Sequence, residues 1–170
     1  GYLTDMSANL YDTQVELLFN GTADLMRRRI LSPLKRHIEQ MQATTAMDVA
    51  TPQPVKVLDI ACGTGRTLRM IRETLPQAAL YGIDLSPAYL RKANQLLSQT
   101  AGTLPQLIHA NAEQLPYLDG YFEAVTSVFM FHELPAAVRQ TVIDEAYRVT
   151  KPGGVFIMCD SIQALDSPEL

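Results

Sequence analysis

The 170 residues of the chain, 47% of them hydrophobic, are enough for one globular domain with a buried core. Fourteen basic and 18 acidic residues give a net charge of −4, which disfavours a dedicated nucleic-acid-binding protein. No run approaches the roughly 18 apolar residues of a membrane span, and the start resembles no signal peptide. Cys62 and Cys159 lack metal-ligand spacing, so we expect reduced packing residues, no metal site and a cytoplasmic protein.

Apolar residues recur at three- and four-residue steps between residues 9 and 42, which predicts two or three short helices. Asn20-Gly21 is typical of a helix stop within this segment. Residues 43–54 are polar and contain prolines, as linkers do. We therefore expect a helical cover or lid over residues 1–50, followed by a core domain over residues 51–170.

Strand-like and helix-like segments alternate from residue 55 onwards. Strands are predicted at residues 55–60, 79–84, 106–110, 123–131 and 155–160. Helices are predicted between them, at residues 65–75, 86–98 and 135–150. The segment Lys-Pro-Gly-Gly at residues 151–154 is typical of a turn before the last strand. Apolar strands that alternate with helices predict a doubly wound α/β sheet, mostly parallel and covered on both faces.

The first predicted strand runs into a turn with two glycines, Gly63 and Gly65, and a helix follows. Glycine has no Cβ, so the backbone can turn sharply there and approach a ligand closely. Such a turn suits a plain strand-to-helix connection without a ligand, and it also suits a nucleotide site. A dinucleotide site requires a third glycine where this chain has Leu68, and a phosphate loop requires a Gly-Lys pair that does not follow.

Two carboxylates extend the pattern around the glycine turn. Asp59 lies four residues before Gly63, at a strand end, and suits a ligand with a cationic end. Asp84 ends the second strand, where a carboxylate can accept two hydrogen bonds from a ribose diol. S-adenosylmethionine carries a cationic end and a ribose, and it has no phosphate that would need a third glycine.

Four segments follow one another along the chain: VLDIACGTGRTL, LYGIDLSPAYL, ANAEQLPYLDGYFEAVTSVFMFHEL and RVTKPGGVFIMCD. Together they resemble the class I S-adenosylmethionine-dependent methyltransferases, in particular the small-molecule group related to quinone-biosynthesis methyltransferases. The resemblance covers residues 55–160 and implies S-adenosylmethionine as the cofactor and a small-molecule methyl acceptor. It also implies a Rossmann-like sheet with the strand order 3-2-1-4-5.

In this family the sheet has two further strands, for which the ten residues after the fifth predicted strand are too few. We therefore expect a core that is truncated at its C-terminus, with an exposed edge on the fifth strand. An exposed apolar edge favours association, here a homodimer through that strand.

The resemblance implies roles for the residues that match its motifs. Those expected to contact the cofactor are Asp59, Ala61, Gly63, Gly65, Asp84, Leu85, Asn111, Ala112, Val128 and Phe129. Asp84 would bind the ribose hydroxyls, and Asn111 would meet the adenine edge. Asn111 stands where the family usually has aspartate, and its amide oxygen can still accept a hydrogen bond from the adenine amino group.

Methyl transfer from a sulfonium needs positioning and, for some acceptors, a base. His132 and Glu133 lie at the end of the fourth strand, and His132 is the candidate catalytic base, although a histidine there also suits a bond to backbone. The N-terminal helices are expected to contribute Tyr11 and Phe19 to the substrate site. The competing hypothesis is a non-catalytic S-adenosylmethionine-binding or assembly module.

Overall fold

The structure is a computed structural model that describes residues 5–45 and 53–161. The helices in these ranges are α1 (Asp5–Leu18), α2 (Ala23–Arg28), α3 (Leu31–Thr45), α4 (Arg66–Thr74), α5 (Pro87–Ser98) and α6 (Ala136–Val149). The strands are β1 (Lys56–Ile60), β2 (Ala79–Asp84), β3 (Gln106–His109), β4 (Phe122–Val128) and β5 (Thr150–Cys159). A short 3-10 helix, Phe131–Glu133, follows β4. The predicted alternation of strands and helices is confirmed.

The strands form one parallel sheet in the order β3-β2-β1-β4-β5, as the resemblance implied. The chain moves outward from β1 to β3 on one side and then continues with β4 on the other side of β1. The strand order therefore reverses at β1, and the carboxyl ends of the strands leave a crevice there. At this point Asp59 of β1 lies beside Gly82 of β2 and Thr126 of β4.

Apolar side chains cover both faces of the sheet, because successive residues of a strand point to opposite sides. In β1, Val57 packs in the layer that contains residues of α2, α3 and α4. Leu58 and Ile60 pack in the opposite layer with residues of α6. All three side chains are fully buried. Burial on both faces explains why the strands are nearly continuous apolar runs in the sequence.

The N-terminal segment forms three helices in the described residues, as the apolar spacing predicted. The predicted stop is also confirmed, because Asn20 and Gly21 follow α1 with positive φ angles of 51° and 76°. The predicted domain division near residue 50 lies among residues 46–52, outside the described ranges. Across those ranges, every helix is too short or too polar to span a membrane.

The fourth strand ends earlier than the sequence predicted. β4 stops at Val128, whereas the apolar run continues to residue 131. Phe129 has a left-handed backbone with φ +61°, which takes the chain out of the strand and towards the 3-10 helix. The apolar side chains beyond this point are buried by packing at the crevice rather than by strand pairing.

The predicted turn at residues 151–154 lies inside β5 instead of before it. Thr150 pairs with Phe122, whereas the next pair joins Val155 to Ala124, so the extra residues of β5 form a bulge. The bulge keeps the strand in the sheet while it absorbs the turn-forming sequence. β5 lies at one edge of the sheet, and association through that edge stays a prediction.

Replacing Gly65 by alanine is expected to destabilise the fold more than the same replacement at Gly21. Both glycines have left-handed backbones, φ +79° and +76°, so an added Cβ costs about 1–2 kcal/mol at each. At Gly65 the Cβ would also lie 2.9 Å from Leu97 Cδ1 and 3.1 Å from Ala93 Cβ, whereas nothing lies within 4 Å at Gly21. Urea denaturation measures the loss in free energy of unfolding for each variant. Equal losses would contradict the close packing of the Gly65 turn on α5.

Candidate functional site

The turn between β1 and α4 lies at the crevice with its backbone in unusual conformations. Ala61, Gly63 and Gly65 all have positive φ angles, of 56°, 55° and 79°. A left-handed backbone strains an alanine by about 1–2 kcal/mol but does not strain a glycine, so glycine would also suit the position of Ala61. The Gly65 N–H closes the turn by donating to the Cys62 carbonyl at 2.9 Å, and α4 begins at the next residue. The turn therefore presents mostly backbone to the crevice.

Asp84, at the end of β2, ties this turn to the neighbouring strand. The Gly63 N–H donates to one carboxylate oxygen of Asp84 at 2.8 Å, and the Ser86 N–H donates to the other at 2.8 Å. Burial raises the pKa of Asp84, and the two backbone N–H groups oppose that increase. Each carboxylate oxygen has two lone pairs, so this fixed carboxylate can still accept hydrogen bonds from a ligand diol.

Asp59 lies deeper in the sheet, with 2% of its surface exposed. Thr126 Oγ1 donates a hydrogen bond to Asp59 Oδ1 at 2.7 Å. Burial raises the pKa of Asp59 to about 7, the Thr126 hydrogen bond opposes this increase, and the charge of Asp84 adds to it. A carboxylate in this environment favours a cationic ligand group, because a nearby cation stabilises its ionised form.

The loops after β3 and β2 bring a polar and an apolar group to the mouth of the crevice. Asn111 Oδ1 accepts a hydrogen bond from the Glu113 N–H at 3.0 Å. His109 Nε2 lies 3.0 Å from the Leu85 carbonyl oxygen, which connects β3 to the loop after β2. The Leu85 side chain is 57% exposed, so it offers an apolar surface to a flat ring.

Phe129 forms the side of the crevice that follows β4. A left-handed backbone is an outlier for a bulky residue, and such outliers cluster at functional sites. The Phe129 N–H donates to the Cys159 carbonyl at 3.1 Å, and its ring stacks on Phe19 with 4.6 Å between centroids. Arg27 lies over the same ring, with 5.2 Å between the guanidinium carbon and the ring centroid. Contacts from α2, β5 and the segment after α1 therefore hold Phe129 in place.

Polar contacts attach the N-terminal helices to the glycine turn. Thr64 Oγ1 donates to Asp12 Oδ1 of α1 at 2.9 Å. Arg66 donates two hydrogen bonds to the carboxylate of Asp24 in α2, each at 2.7 Å. A planar guanidinium that binds both oxygens of a carboxylate also fixes its orientation. α1 and α2 are therefore held against the glycine turn and the start of α4, and α1 reaches the crevice itself through Tyr11.

These elements line one cleft, and the structure brings most of the predicted site residues into it. The predicted residues in its lining are Tyr11, Ala61, Gly63, Asp84, Leu85, Asn111, Ala112 and Phe129. The predicted residues outside the lining are Asp59, Gly65, Val128, Phe19 and His132. Asp59 lies behind the lining within the sheet, Gly65 packs on α5, and Phe19 supports Phe129. Within the described ranges, no three His, Cys, Asp or Glu side chains group as metal ligands.

His132 contacts a carboxylate at the end of β5 rather than the backbone. Its Nδ1 lies 2.6 Å from Asp160 Oδ1, and the Phe131 N–H donates to the other oxygen of Asp160 at 2.6 Å. The opposite ring nitrogen, Nε2, lies 3.8 Å from Glu133 Oε1, and Glu133 lines the cleft. Asp160 therefore holds the imidazole beside the cleft, and a catalytic role for His132 stays a prediction.

Several residues that line the cleft were not predicted from the sequence. They are Ile83, Tyr89, Ala110, Met130 and Leu134. Tyr89 could have been found from the sequence, because Ser86-Pro87 marks the start of α5 and Tyr89 lies in its first turn. There the Tyr89 N–H donates a hydrogen bond to the Ser86 side chain. Its ring packs on Tyr11, with 5.0 Å between centroids. The other residues are ordinary apolar side chains whose positions depend on how the strands and loops meet.

Replacing Asp59 by asparagine is expected to change how stability depends on pH. The folded-state pKa of about 7 lies above the 3.8 of an ordinary aspartate, so between these values the folded protein binds more protons than the unfolded chain. Ionisation of Asp59 therefore lowers the free energy of unfolding as pH rises through this range. Asparagine does not titrate, and it can still accept the hydrogen bond from Thr126.

Urea denaturation of both proteins at pH 4.5 and pH 7.5 checks this expectation. Between pH 4.5 and pH 7.5, the free energy of unfolding of Asp59→Asn should rise by at least about 1 kcal/mol relative to that of the parent. The comparison at each pH cancels the contribution of the other titrating groups. An equal difference at both pH values would contradict the raised pKa of Asp59.

The sequence matches known proteins over the region that forms the crevice. A family model described as a methyltransferase domain matches residues 57–154. A demethylmenaquinone methyltransferase from Geobacillus stearothermophilus is 36% identical over 109 residues, which cover 64% of this chain and 46% of that protein. Another from Thermus thermophilus is 34% identical over 116 residues, 68% of this chain and 51% of that protein. The chain thus spans about half the length of these curated relatives.

Solved structures share the fold. A protein from Pyrococcus horikoshii has a TM-score of 0.57 at 26% identity, covering 72% of this chain and 56% of that chain. A SAM-dependent methyltransferase from Aquifex aeolicus has a TM-score of 0.52 at 20% identity, covering 65% of this chain and 58% of that chain. The family match spans 98 of the 170 residues, and the parallel sheet agrees with it. The chain therefore belongs to the class I S-adenosylmethionine-dependent methyltransferase family.

Proposed function

We propose that this chain binds S-adenosylmethionine in the cleft and transfers its methyl group to a small-molecule acceptor. The observation that carries the proposal is the fixed carboxylate of Asp84. Backbone N–H groups 2.8 Å away hold both of its oxygens, beside the Gly63 turn and at the crevice of a methyltransferase fold. A ribose diol would meet a rigid acceptor there.

The residues around the cleft fit the chemical groups of S-adenosylmethionine. Asp84 suits the ribose hydroxyls, and the exposed side chain of Leu85 suits one face of the adenine. Asn111 and Ala112 suit the adenine edge, since the Asn111 oxygen keeps one lone pair beside its bond to Glu113. Asp59, close behind the glycine turn, suits the cationic amino group of the methionine part.

S-adenosylmethionine supplies a methyl group on a sulfonium, which is already activated for transfer. The residues of this chain therefore bind, orient and exclude water. Phe129, which follows Val128 at the end of β4, provides the apolar wall that we assign to the reacting end. Tyr11 of α1 also lines the cleft, and burial raises the pKa of Tyr11 to about 12, so its hydroxyl remains a neutral donor. Phe19 supports this cover by stacking on Phe129.

For the acceptor we propose a hydroxylated aromatic compound of the quinol type. Relatives that are 34–36% identical are named demethylmenaquinone methyltransferases, which motivates this choice. A sulfonium methyl group is an electrophile, and a hydroquinone becomes electron-rich when its hydroxyl loses a proton. His132, oriented by Asp160 and adjacent to Glu133, is the proposed acceptor of that proton.

Replacing Asp84 by alanine is expected to weaken binding of S-adenosylmethionine by more than about tenfold, because two ribose hydroxyls lose their acceptor. Isothermal titration calorimetry measures the affinity, and thermal denaturation confirms that the variant is folded. Asp144→Asn is the matched control, since Asp144 lies exposed on α6 and outside the cleft lining. An unchanged affinity in folded Asp84→Ala would refute the ribose-binding role.

Methyl transfer is tested with S-adenosylmethionine carrying a labelled methyl group and with reduced demethylmenaquinone as the acceptor. The expected result is labelled product that depends on protein and on the reduced form of the acceptor. A folded sample that binds no S-adenosylmethionine would overturn the cofactor assignment. Binding without transfer to this or any other small acceptor would favour the non-catalytic module.

Replacing His132 by glutamine is expected to lower turnover by about a hundredfold or more, which is the ordinary contribution of a positioned base. The affinity for S-adenosylmethionine should stay within about twofold, because His132 lies outside the cleft lining. Initial rates and calorimetry on the same preparation separate the two effects. Unchanged turnover, or a loss fully explained by weaker cofactor binding, would rule out the base.

A further inference from the structure

α1 is apolar on its outward side as well as on its inward side. Ala8 and Val15 lie on the inward side, where the rest of the protein buries them. Met6, Leu10 and Leu17 follow one another at steps of four and seven residues, which places them on the opposite side of the helix. A helix that is apolar on two sides needs a partner on each, and the described residues cover only one of them.

Large apolar side chains are exposed along both α1 and α2, with 50–75% of their surfaces accessible to solvent. They are Met6, Leu10, Leu17, Leu18 and Leu25. A single exposed leucine is ordinary, whereas a row on successive helix turns is typical of a surface that binds an apolar partner. α2 contacts α1 and adds Leu25 to the exposed set.

The charges of this segment are divided between its inward and outward sides. Its acidic side chains are partly buried, and each accepts a hydrogen bond from within the protein. They are Asp12, Glu16 and Asp24. The exposed residues between 6 and 29 are apolar, neutral or basic, and the exposed charges are Arg28 and Arg29. These arginines follow Leu25 at steps of three and four residues, which places them on its side of the helix.

We propose that the outward side of α1 and α2 binds the surface of a membrane that contains anionic lipids. Apolar side chains enter the boundary between the headgroups and the acyl chains, and arginines beside them are attracted to the negative surface. This is binding parallel to the surface, and it requires no helix that spans the membrane. A second copy of the chain fits the same side less well, because pairing two such surfaces brings two sets of arginines to one interface, where like charges repel.

The bound orientation has a consequence for the cleft. α1 also contributes Tyr11 to the cleft lining, so a membrane on its outward side lies one helix away from the cleft. An apolar acceptor of the quinol type dissolves in that membrane, which brings it close to the site of transfer. This consequence rests on the proposed function, whereas binding to lipid depends on the helices alone.

Vesicle flotation of the 170-residue chain without S-adenosylmethionine tests the proposal. Two kinds of vesicle are compared, phosphatidylcholine alone and phosphatidylcholine with roughly 30% phosphatidylglycerol, whose negative surface attracts arginine. The parent should bind the anionic vesicles at least about fivefold more strongly than the neutral ones, and added salt should reduce the difference. Replacing Leu17 and Leu18 together by serine should lower binding to the anionic vesicles at least about tenfold.

Two further variants show whether the outward side itself is responsible. Replacing Arg28 and Arg29 together by serine should reduce binding to the anionic vesicles to the level of the neutral ones. Leu118→Ser is the matched control, because Leu118 is 75% exposed but lies in the loop before β4, and its binding should equal that of the parent. Thermal denaturation confirms that each variant is folded, as expected for exposed positions.

Three results would overturn the proposal. They are a folded parent that binds neither kind of vesicle, an equal loss in Leu118→Ser, and unchanged binding after replacement of Leu17 and Leu18. Analytical ultracentrifugation without lipid tests the other occupant, since a parent dimer that the serine pair at Leu17 and Leu18 dissociates would assign this side to a second copy instead. Titration of S-adenosylmethionine without vesicles tests the proposed function separately, so the two failures are distinguishable.

Discussion

The carboxylate of Asp84 holds the ends of β1 and β2 in one fixed arrangement. It accepts hydrogen bonds from the N–H groups of Gly63 and Ser86, which belong to the loops that leave these two strands. Both loops depart at the point where the strand order reverses, and the Cys62 N–H, which donates to the Ile83 carbonyl at 2.8 Å, adds a backbone bond beside those to Asp84. The bonds offset the cost of burying the charge, and they make the carboxylate rigid before any ligand arrives.

The other wall of the cleft depends on segments that form no strand pairs. The Thr64–Asp12 hydrogen bond and the Arg66–Asp24 pair attach α1 and α2 to the glycine turn. Phe19 adds an apolar contact by stacking on Phe129. Because these contacts end on the turn and on the residue after β4, the position of the N-terminal helices and the shape of the cleft depend on each other.

Much of the sheet and many of the residues that line the cleft were predictable from sequence, because their signals are local. Strands buried on both faces are apolar throughout, and Ser86 before Pro87 begins a helix through its own side chain. The end of β4 was predicted wrongly, since an apolar run does not reveal the left-handed backbone of Phe129. The bulge in β5 was missed as well, because a Pro-Gly-Gly sequence is typical of a turn.

By itself the sequence determined the order of strands and helices, the glycine turn and the two carboxylates at strand ends. These features follow from residue spacing and from the backbone freedom of glycine, which act within a few residues. Only the tertiary structure decided that Asp160 holds His132 and that Arg27 lies over Phe129. Each of these contacts joins segments distant in the chain, and their meeting depends on how helices and strand ends pack around the crevice.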